Sequence, residues 1–255
     1  LGSVPMPLVI HDWQGRANLE PALDQLAHED LQAGFELDRA PLLRVILVRT
    51  GVSTYHLIYT SHHILMDGWS TSQLFGEVLQ RYAGQAPVAA QGRYRDYIEW
   101  LSLRDVQASQ GFWREALGNL QEPTRLADAV GPQQRLGNGY ADHEHLFSAE
   151  LTAQLNGFAR EQKVTLNTLM QSAWLLLLQR YTGQATVAFG ATVAGRPMDL
   201  PGVEQQIGLF INTLPVVATP SPQLTVAQWI QQVQDLNLAL REHEHTPLYD
   251  IQSWA

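Results

Sequence analysis

Two adjacent histidines, His62 and His63, stand five and four residues ahead of an Asp-Gly pair, Asp67 and Gly68, in the stretch "SHHILMDGWS". Imidazole and carboxylate are metal-ligand types, so a metal site is one reading. Neighbours at the end of a strand point to opposite faces, however, and do not readily share one ion. A second reading makes each histidine a structural residue satisfied in a core, the usual fate of a lone buried imidazole. A third, hydrolysis by a nucleophilic serine, lacks its G-x-S-x-G elbow in this chain. The fourth uses the opposed faces: one imidazole enters a channel as a general base while the other is held in the fold. It alone gives each residue type a task.

In that scheme His63 is the candidate base, since an imidazole with a pKa near about 6.5 accepts a proton from an attacking amine or hydroxyl, typically worth about 10² to 10⁴ in rate. Asp67 is not the base. A carboxylate in the following turn pairs with an arginine or accepts backbone donors, fixing the loop that aims the imidazole. Gly68 permits close approach of backbone and substrate. Trp69 is ambiguous, with packing of the next helix as its ordinary role.

The elements around this stretch read as α/β. "PALDQLAHEDLQAGF" has helical spacing, while "PLLRVILVRT" and "YHLIYTS" are strand-like, rich in branched and aromatic residues. Ser70 and Gln73 have capping-box spacing, and Leu74, Phe75, Val78, Leu79 and Tyr82 then recur at helical intervals up to Gly84, which puts the motif in a strand-to-helix turn. "YRDYIEWL" and "FWREALGNL" are two further helices. From about Gln121 to Gly139 the periodicity fades into turn residues, a linker. Beyond it, Ser148 caps "AELTAQLNGFAREQ". After Thr165 the residues Leu166, Leu169, Met170, Ala173, Trp174, Leu177 and Tyr181 form the buried face of a central helix ending near Gly183. "ATVAFGATVAG" and "IGLFINTLPVVA" are strand candidates, and Thr225 opens a last amphipathic helix. There is no internal repeat.

At 255 residues, 45 % of them hydrophobic, the chain can build one large core or two smaller ones. Its 25 acidic against 16 basic residues give a formal charge of -9 without a Lys/Arg cluster, so nucleic acid is not an expected partner. The absence of cysteine removes disulfides, thiolate zinc sites and cysteine nucleophiles together. It permits an intracellular setting, and a cytoplasmic one is expected. "AWLLLL" falls far short of the roughly 20 apolar residues of a membrane span, so no membrane is expected either. The N-terminus "LGSVPMPLVI" lacks both the positive start of a signal peptide and an initiator methionine, and the expectation is a piece of a longer protein.

"HHILMDG" resembles the HHxxxDG signature of nonribosomal peptide synthetase condensation domains, members of the chloramphenicol acetyltransferase-like superfamily. The stretches "GFELDRAPLLRVILVR", "YRDYIEW", "GRPMDLPGVEQQIGLFINTLP" and "HEHTPLYDIQ" match in the family's order. The resemblance implies an α/β fold of two acetyltransferase-like lobes in a V-shaped pseudo-dimer, each a mixed sheet with flanking helices. Residues 1–120 would be a partial first lobe carrying the motif, 121–139 the linker and 140–255 a partial second lobe. The family's early motifs would precede Leu1 and its last elements follow Ala255, so the fragment by itself is expected to be inactive.

The resemblance further implies peptide-bond formation. The α-amine of an aminoacyl group on an acceptor carrier domain attacks the thioester of a donor carrier domain, both delivered on 4′-phosphopantetheine arms, with an adenylation domain as neighbour and no bound cofactor or metal. His63, His62, Asp67 and Gly68 would form the catalytic motif. Trp69, Asn212 and Arg196 would contact substrate; a strand-end hydrogen bond for Asn212 and either an Asp67 partner or a polar turn for Arg196 are the alternatives. His243 and His245 end an amphipathic helix, where such groups are ordinarily solvated. The rivals are an epimerisation domain, a stand-alone coenzyme A-dependent acyltransferase and a non-catalytic recruitment module. "IGLFINTLP" and "HTPLYDIQ" resemble condensation domains rather than epimerases, and a degenerate module would have lost His63 or Gly68.

Overall fold

The computed structural model describes residues 4–86, 91–130 and 143–255, and divides the chain into two compact units. The first comprises Leu1–Tyr97 with Met198–Phe210, and the second Ile98–Pro197 with Ile211–Ala255.

In the first unit, strand β1 (Leu8–Asp12) leads into helix α1 (Leu19–Gln32) and back to strand β2 (Leu43–Arg49), which lies parallel to β1 with Leu8 opposite Val45. Strand β3 (Tyr55–Ser61) returns antiparallel to β2 with Ile46 opposite Ile58, giving the order β1-β2-β3. Among the described strands of this sheet β2 is the central one, with β1 and β3 on its two edges, and Val45, Ile46 and Val48 are buried on its two faces. Its unbroken apolar run in the sequence reflects that position. Leu23 of α1 packs on Ile46 and Val48, with Trp13, Leu19, Leu26 and Ile58 around them. Arg44 of β2 fastens the end of α1, its Nε donating to Asp30 Oδ1 at 2.7 Å and Nη1 to Gly34 O at 2.6 Å. β3 thereby delivers the histidine pair at a fixed place. A single 3-10 turn (His63–Leu65) follows, and then helix α2 (Gly68–Tyr82).

The second unit is built on helices α3 (Tyr94–Ser102, from Ile98 on), α4 (Val106–Leu117), α5 (Leu126–Val130), α6 (Ala149–Glu161) and α7 (Leu166–Thr182), strand β4 (Val187–Val193), strand β5 (Asn212–Ala218), and helices α8 (Val226–Glu242) and α9 (Leu248–Trp254). β4 and β5 pair antiparallel, Val187 opposite Ala218. Their core joins Trp113 and Leu117 of α4, Leu175 and Leu178 of α7, and Trp229, Ile230 and Val233 of α8. Since Trp113 is fully buried there, α4 belongs with the later elements, and the boundary falls at Tyr97 rather than near residue 120. Of the expected linker, Leu126–Val130 is helix, while residues 131–139 lie outside the described residues.

Two expectations are corrected. In α7 the buried side chains are Thr168, Ser172, Leu175 and Leu178, whereas of the expected face Leu166, Met170, Ala173, Trp174, Leu177 and Tyr181 are exposed and Leu169 is half-buried. Beside Leu175 and Leu178, the helix meets α8 through polar groups: Thr168 Oγ1 donates to Gln234 Oε1 at 2.7 Å and Trp229 Nε1 to the backbone carbonyl of Ser172 at 3.2 Å. Apolar periodicity alone does not see such contacts. In "IGLFINTLPVVA" only Asn212–Ala218 is strand, because residues 208–210 give their backbone groups to α2 instead. Thr225, by contrast, does open its helix, and the structure adds a capping box with Gln228.

Candidate functional site

β3 ends at Ser61, so the two histidines lie just beyond the strand and not in its alternation. His62 caps the 3-10 turn: its N–H donates to Leu42 O at 2.9 Å, its Nδ1 accepts from Ile64 N–H at 3.1 Å, and its ring lies edge-on to Phe35 at 6.4 Å. It is half-buried. His63, one residue on, is exposed, and its ring makes no hydrogen bond among the described residues. His62 is thus held in the fold and His63 is accessible, and a 3-10 turn rather than the alternation of a strand separates them.

Asp67 is 1 % exposed and is the N-cap of α2. Its Oδ1 accepts from Ser70 N–H at 2.8 Å, its Oδ2 accepts from Phe210 N–H at 3.0 Å, and its own N–H donates to Gly208 O at 3.2 Å. The capping box read at Ser70 and Gln73 is displaced accordingly. The helix already runs from Gly68, and Ser70 occupies the position that donates to the cap. Gln73 donates from Nε2 to Glu204 O instead. Nothing lies within 4 Å of where a Cβ on Gly68 would stand, so the space that its missing side chain leaves faces outward. Trp69 is half-exposed, with its Nε1 donating to Glu204 O at 2.9 Å.

The sequence reading missed the segment opposite α2. Ser70, wholly buried, donates from Oγ to Gly208 O at 2.8 Å and accepts from Gly208 N–H at 3.1 Å. Tyr94 OH donates to Leu209 O at 2.7 Å, and a Cβ on Gly208 would overlap the Tyr94 ring, so glycine is required for this close approach. Burial pushes the Tyr94 phenol pKa up, and the nearby Asp67 charge adds to this, so Tyr94 stays a neutral donor. Tyr97 and Phe210 pack at 4.7 Å, in keeping with the packing role read for "YRDYIEW". A small polar residue inside an amphipathic helix is the available signal for Ser70, and its spacing to Gln73 suggests a local cap instead.

In the second unit, Asn212 opens β5 with both amide functions engaged. Nδ2 donates to Glu244 O at 2.9 Å and Thr246 O at 2.6 Å, and Oδ1 accepts from Thr213 N–H at 2.9 Å. That is the strand-end bonding pattern. Arg196 is half-buried on the loop after β4, following Gly195 with φ 61. His243 and His245 are half-buried rather than fully solvated as their helix-end position suggests. His243 stacks on Phe112 at 4.1 Å and 16°, and both imidazoles reach Ser109 Oγ, at 3.5 and 3.4 Å. Burial lowers the His243 pKa, partly opposed by Glu242, and burial raises that of Glu244, partly opposed by Arg241. No group of three or more His, Cys, Asp or Glu is gathered as a metal would need among the described residues, nor is any described helix long and apolar enough to cross a membrane.

The fold is that of known condensation enzymes. The structure matches VibH, a nonribosomal peptide synthetase condensation enzyme, with a TM-score of 0.79 at 20 % identity over 99 % of this chain and 60 % of that one. It matches the first condensation domain of the calcium-dependent antibiotic synthetase with a TM-score of 0.74 at 19 % identity, over 100 % and 59 %. In sequence the chain is 40 % identical to the chondramide synthase of Chondromyces crocatus over 90 % of its length, and 33 % identical to gramicidin S synthase 2 of Brevibacillus brevis over 92 %. It spans only 6 % and 5 % of those two proteins. The family model described as "Condensation domain" matches residues 3–254, and the chain belongs to the condensation-domain family.

Proposed function

We propose that this chain is the part of a nonribosomal peptide synthetase condensation domain that carries the reacting centre, with His63 acting on the amine that forms the peptide bond. The observation that carries the reading is the division of labour in the motif. Both Asp67 carboxylate oxygens and the His62 Nδ1 are occupied by backbone N–H groups, while the His63 ring is exposed and without a hydrogen bond among the described residues. A proton acceptor has to present an unoccupied nitrogen within reach of its substrate.

In this proposal the α-amine of an aminoacyl group on the acceptor carrier attacks the carbonyl carbon of the donor thioester. His63 takes the proton that the amine sheds, the C–S bond of the donor breaks, and the lengthened chain stays on the acceptor carrier while the donor thiolate is protonated. Both arms are 4′-phosphopantetheine belonging to carrier domains, with an adenylation domain in the same assembly line, in a cytoplasmic setting. The exposed face of Trp69 and the guanidinium of Arg196 are the proposed substrate contacts, and Asn212 holds the 244–246 turn. Two lobes of the acetyltransferase type, of which this chain supplies parts, are the proposed architecture of the complete domain.

The test is to load one carrier domain with a donor and another with an acceptor and to follow both products on the full-length polypeptide that carries this chain. Dipeptidyl thioester on the acceptor carrier is the expected result. Exchange of the α-proton without a new amide bond would assign the site to epimerisation.

A further inference from the structure

The His63 ring has no hydrogen bond of its own among the described residues, so its place is set by the backbone that carries it. That backbone is fastened at two ends. Before it, His62 N–H is bonded to Leu42 O of the sheet. After it, the chain is fastened at Asp67 by two long-range bonds to one short segment: Asp67 N–H to Gly208 O at 3.2 Å and Phe210 N–H to Asp67 Oδ2 at 3.0 Å. Everything that holds residues 208–210 against the start of α2 therefore also holds the second end of the turn that presents His63.

Ser70 is the side chain with most to do there. It sits 138 residues away from Gly208 in sequence, yet its hydroxyl bonds both polar groups flanking that Cα, donating to the carbonyl at 2.8 Å and accepting from the N–H at 3.1 Å. A hydroxyl donates and accepts at one small atom, which an alanine cannot do at all. Removing it strips Gly208 N–H of this partner and leaves Gly208 O with the longer bond from Asp67 N–H. Trp69 and Gln73 reinforce the same contact a little earlier in the facing segment, both donating to Glu204 O.

We infer that Ser70 is a positioning residue for the reaction, clamping Gly208 so that Asp67, and through it the backbone of His63, is held in register. The inference rests on the proposed role of His63, and it predicts effects on turnover more than on substrate binding, because the displaced group acts in the transition state. Ser70 itself touches no reacting atom.

The experiment is amide hydrogen exchange and steady-state kinetics on the full-length polypeptide, as parent and as Ser70→Ala, with Leu23→Ala in the first unit's core as the reference for simple loss of stability. In the parent, the Gly208 and Phe210 amides exchange slowly. In Ser70→Ala the Gly208 amide exchanges about 10-fold faster or more and kcat for dipeptide formation falls about 10-fold, with KM for the loaded acceptor carrier within about twofold. Leu23→Ala lowers the melting temperature without that loss of kcat at a temperature where it stays folded. Unprotected Gly208 in the parent, an unchanged kcat in Ser70→Ala, or a loss of kcat no larger than that of Leu23→Ala would each overturn the inference. Exchange is read without substrate, so a parent that forms no dipeptide refutes the condensation reading by itself and leaves the clamp to be decided by Gly208 protection.

Discussion

The N–H of Phe210 donates to Asp67 Oδ2 at 3.0 Å, joining residues 143 apart in the sequence, while the other oxygen of the same carboxylate caps α2 through Ser70 N–H. Both oxygens of the buried carboxylate of the His-His-Asp-Gly motif thus accept backbone donors, which points to an architectural part for Asp67 that a substitution can test. An amide at that position turns one of two acceptors into a donor facing an N–H. Asp67→Asn is expected to destabilise the protein by about 1 to 3 kcal/mol, the usual cost of a buried polar group left without its partner. Thermal melts decide this, and an unchanged melting temperature with lost turnover would make Asp67 a chemical participant.

Asn212 makes a similar argument in the second unit. Its amide bonds the carbonyls of Glu244 and Thr246 and so fixes the connection between α8 and α9. Asn212→Ala is expected to lower stability by about 1 to 3 kcal/mol, read as a fall in the denaturation midpoint at constant slope. Asn212→Asp removes the donors while keeping the shape, and is expected to be at least as damaging.

Stability should also depend on pH through His243. Its pKa lies below its ordinary value because burial disfavours the imidazolium, so in the window from about 6.5 downward the unfolded chain binds more protons than the folded one. Stability is then lost as pH falls through that window. Glu244 has the opposite sign: its raised pKa makes the folded state the better proton binder above its ordinary value, so its contribution declines as pH rises. His243→Phe, which retains a ring for the stack on Phe112, is expected to lose less melting temperature than the parent between pH 7.5 and 5.5. An equal loss in both proteins would remove His243 as the cause.

Metal should not be needed by the motif. The His62 Nδ1 and both Asp67 oxygens already accept backbone hydrogen bonds, leaving His63 without companions of the ligand type in its own turn. Chelator treatment is expected to leave dipeptide formation unchanged. One tightly bound equivalent of metal, with activity lost on its removal and restored on its return, would contradict that expectation.

The parts legible in the sequence were those fixed by local chemistry. The caps at Ser148, Thr165 and Thr225, the C-terminal Gly183 with φ 71, and the strand–turn–helix setting of the motif all follow from residue type at short spacing. What stayed hidden depends on distant partners. Asp67 and Ser70 exchange cap roles relative to the local reading, and their bonds to residues 208–210 leave no periodic trace. Met170 and Trp174 look like core in a helix whose buried side carries Thr168 and Ser172 together with Leu175 and Leu178. The helix-end position of His243 and His245 suggests solvation, and their partners Ser109 and Phe112, more than a hundred positions earlier, leave no local sign.

The central claim is that His63 handles the proton of the attacking amine. Its most direct test is the rate of transfer of a labelled donor group to an acceptor-loaded carrier domain by His63→Ala in the full-length polypeptide. The account predicts a fall in kcat of about 10² to 10⁴ with carrier binding nearly unchanged, since only the transition state loses its proton acceptor. Near-parental turnover in His63→Ala, at equal folded protein, would contradict it.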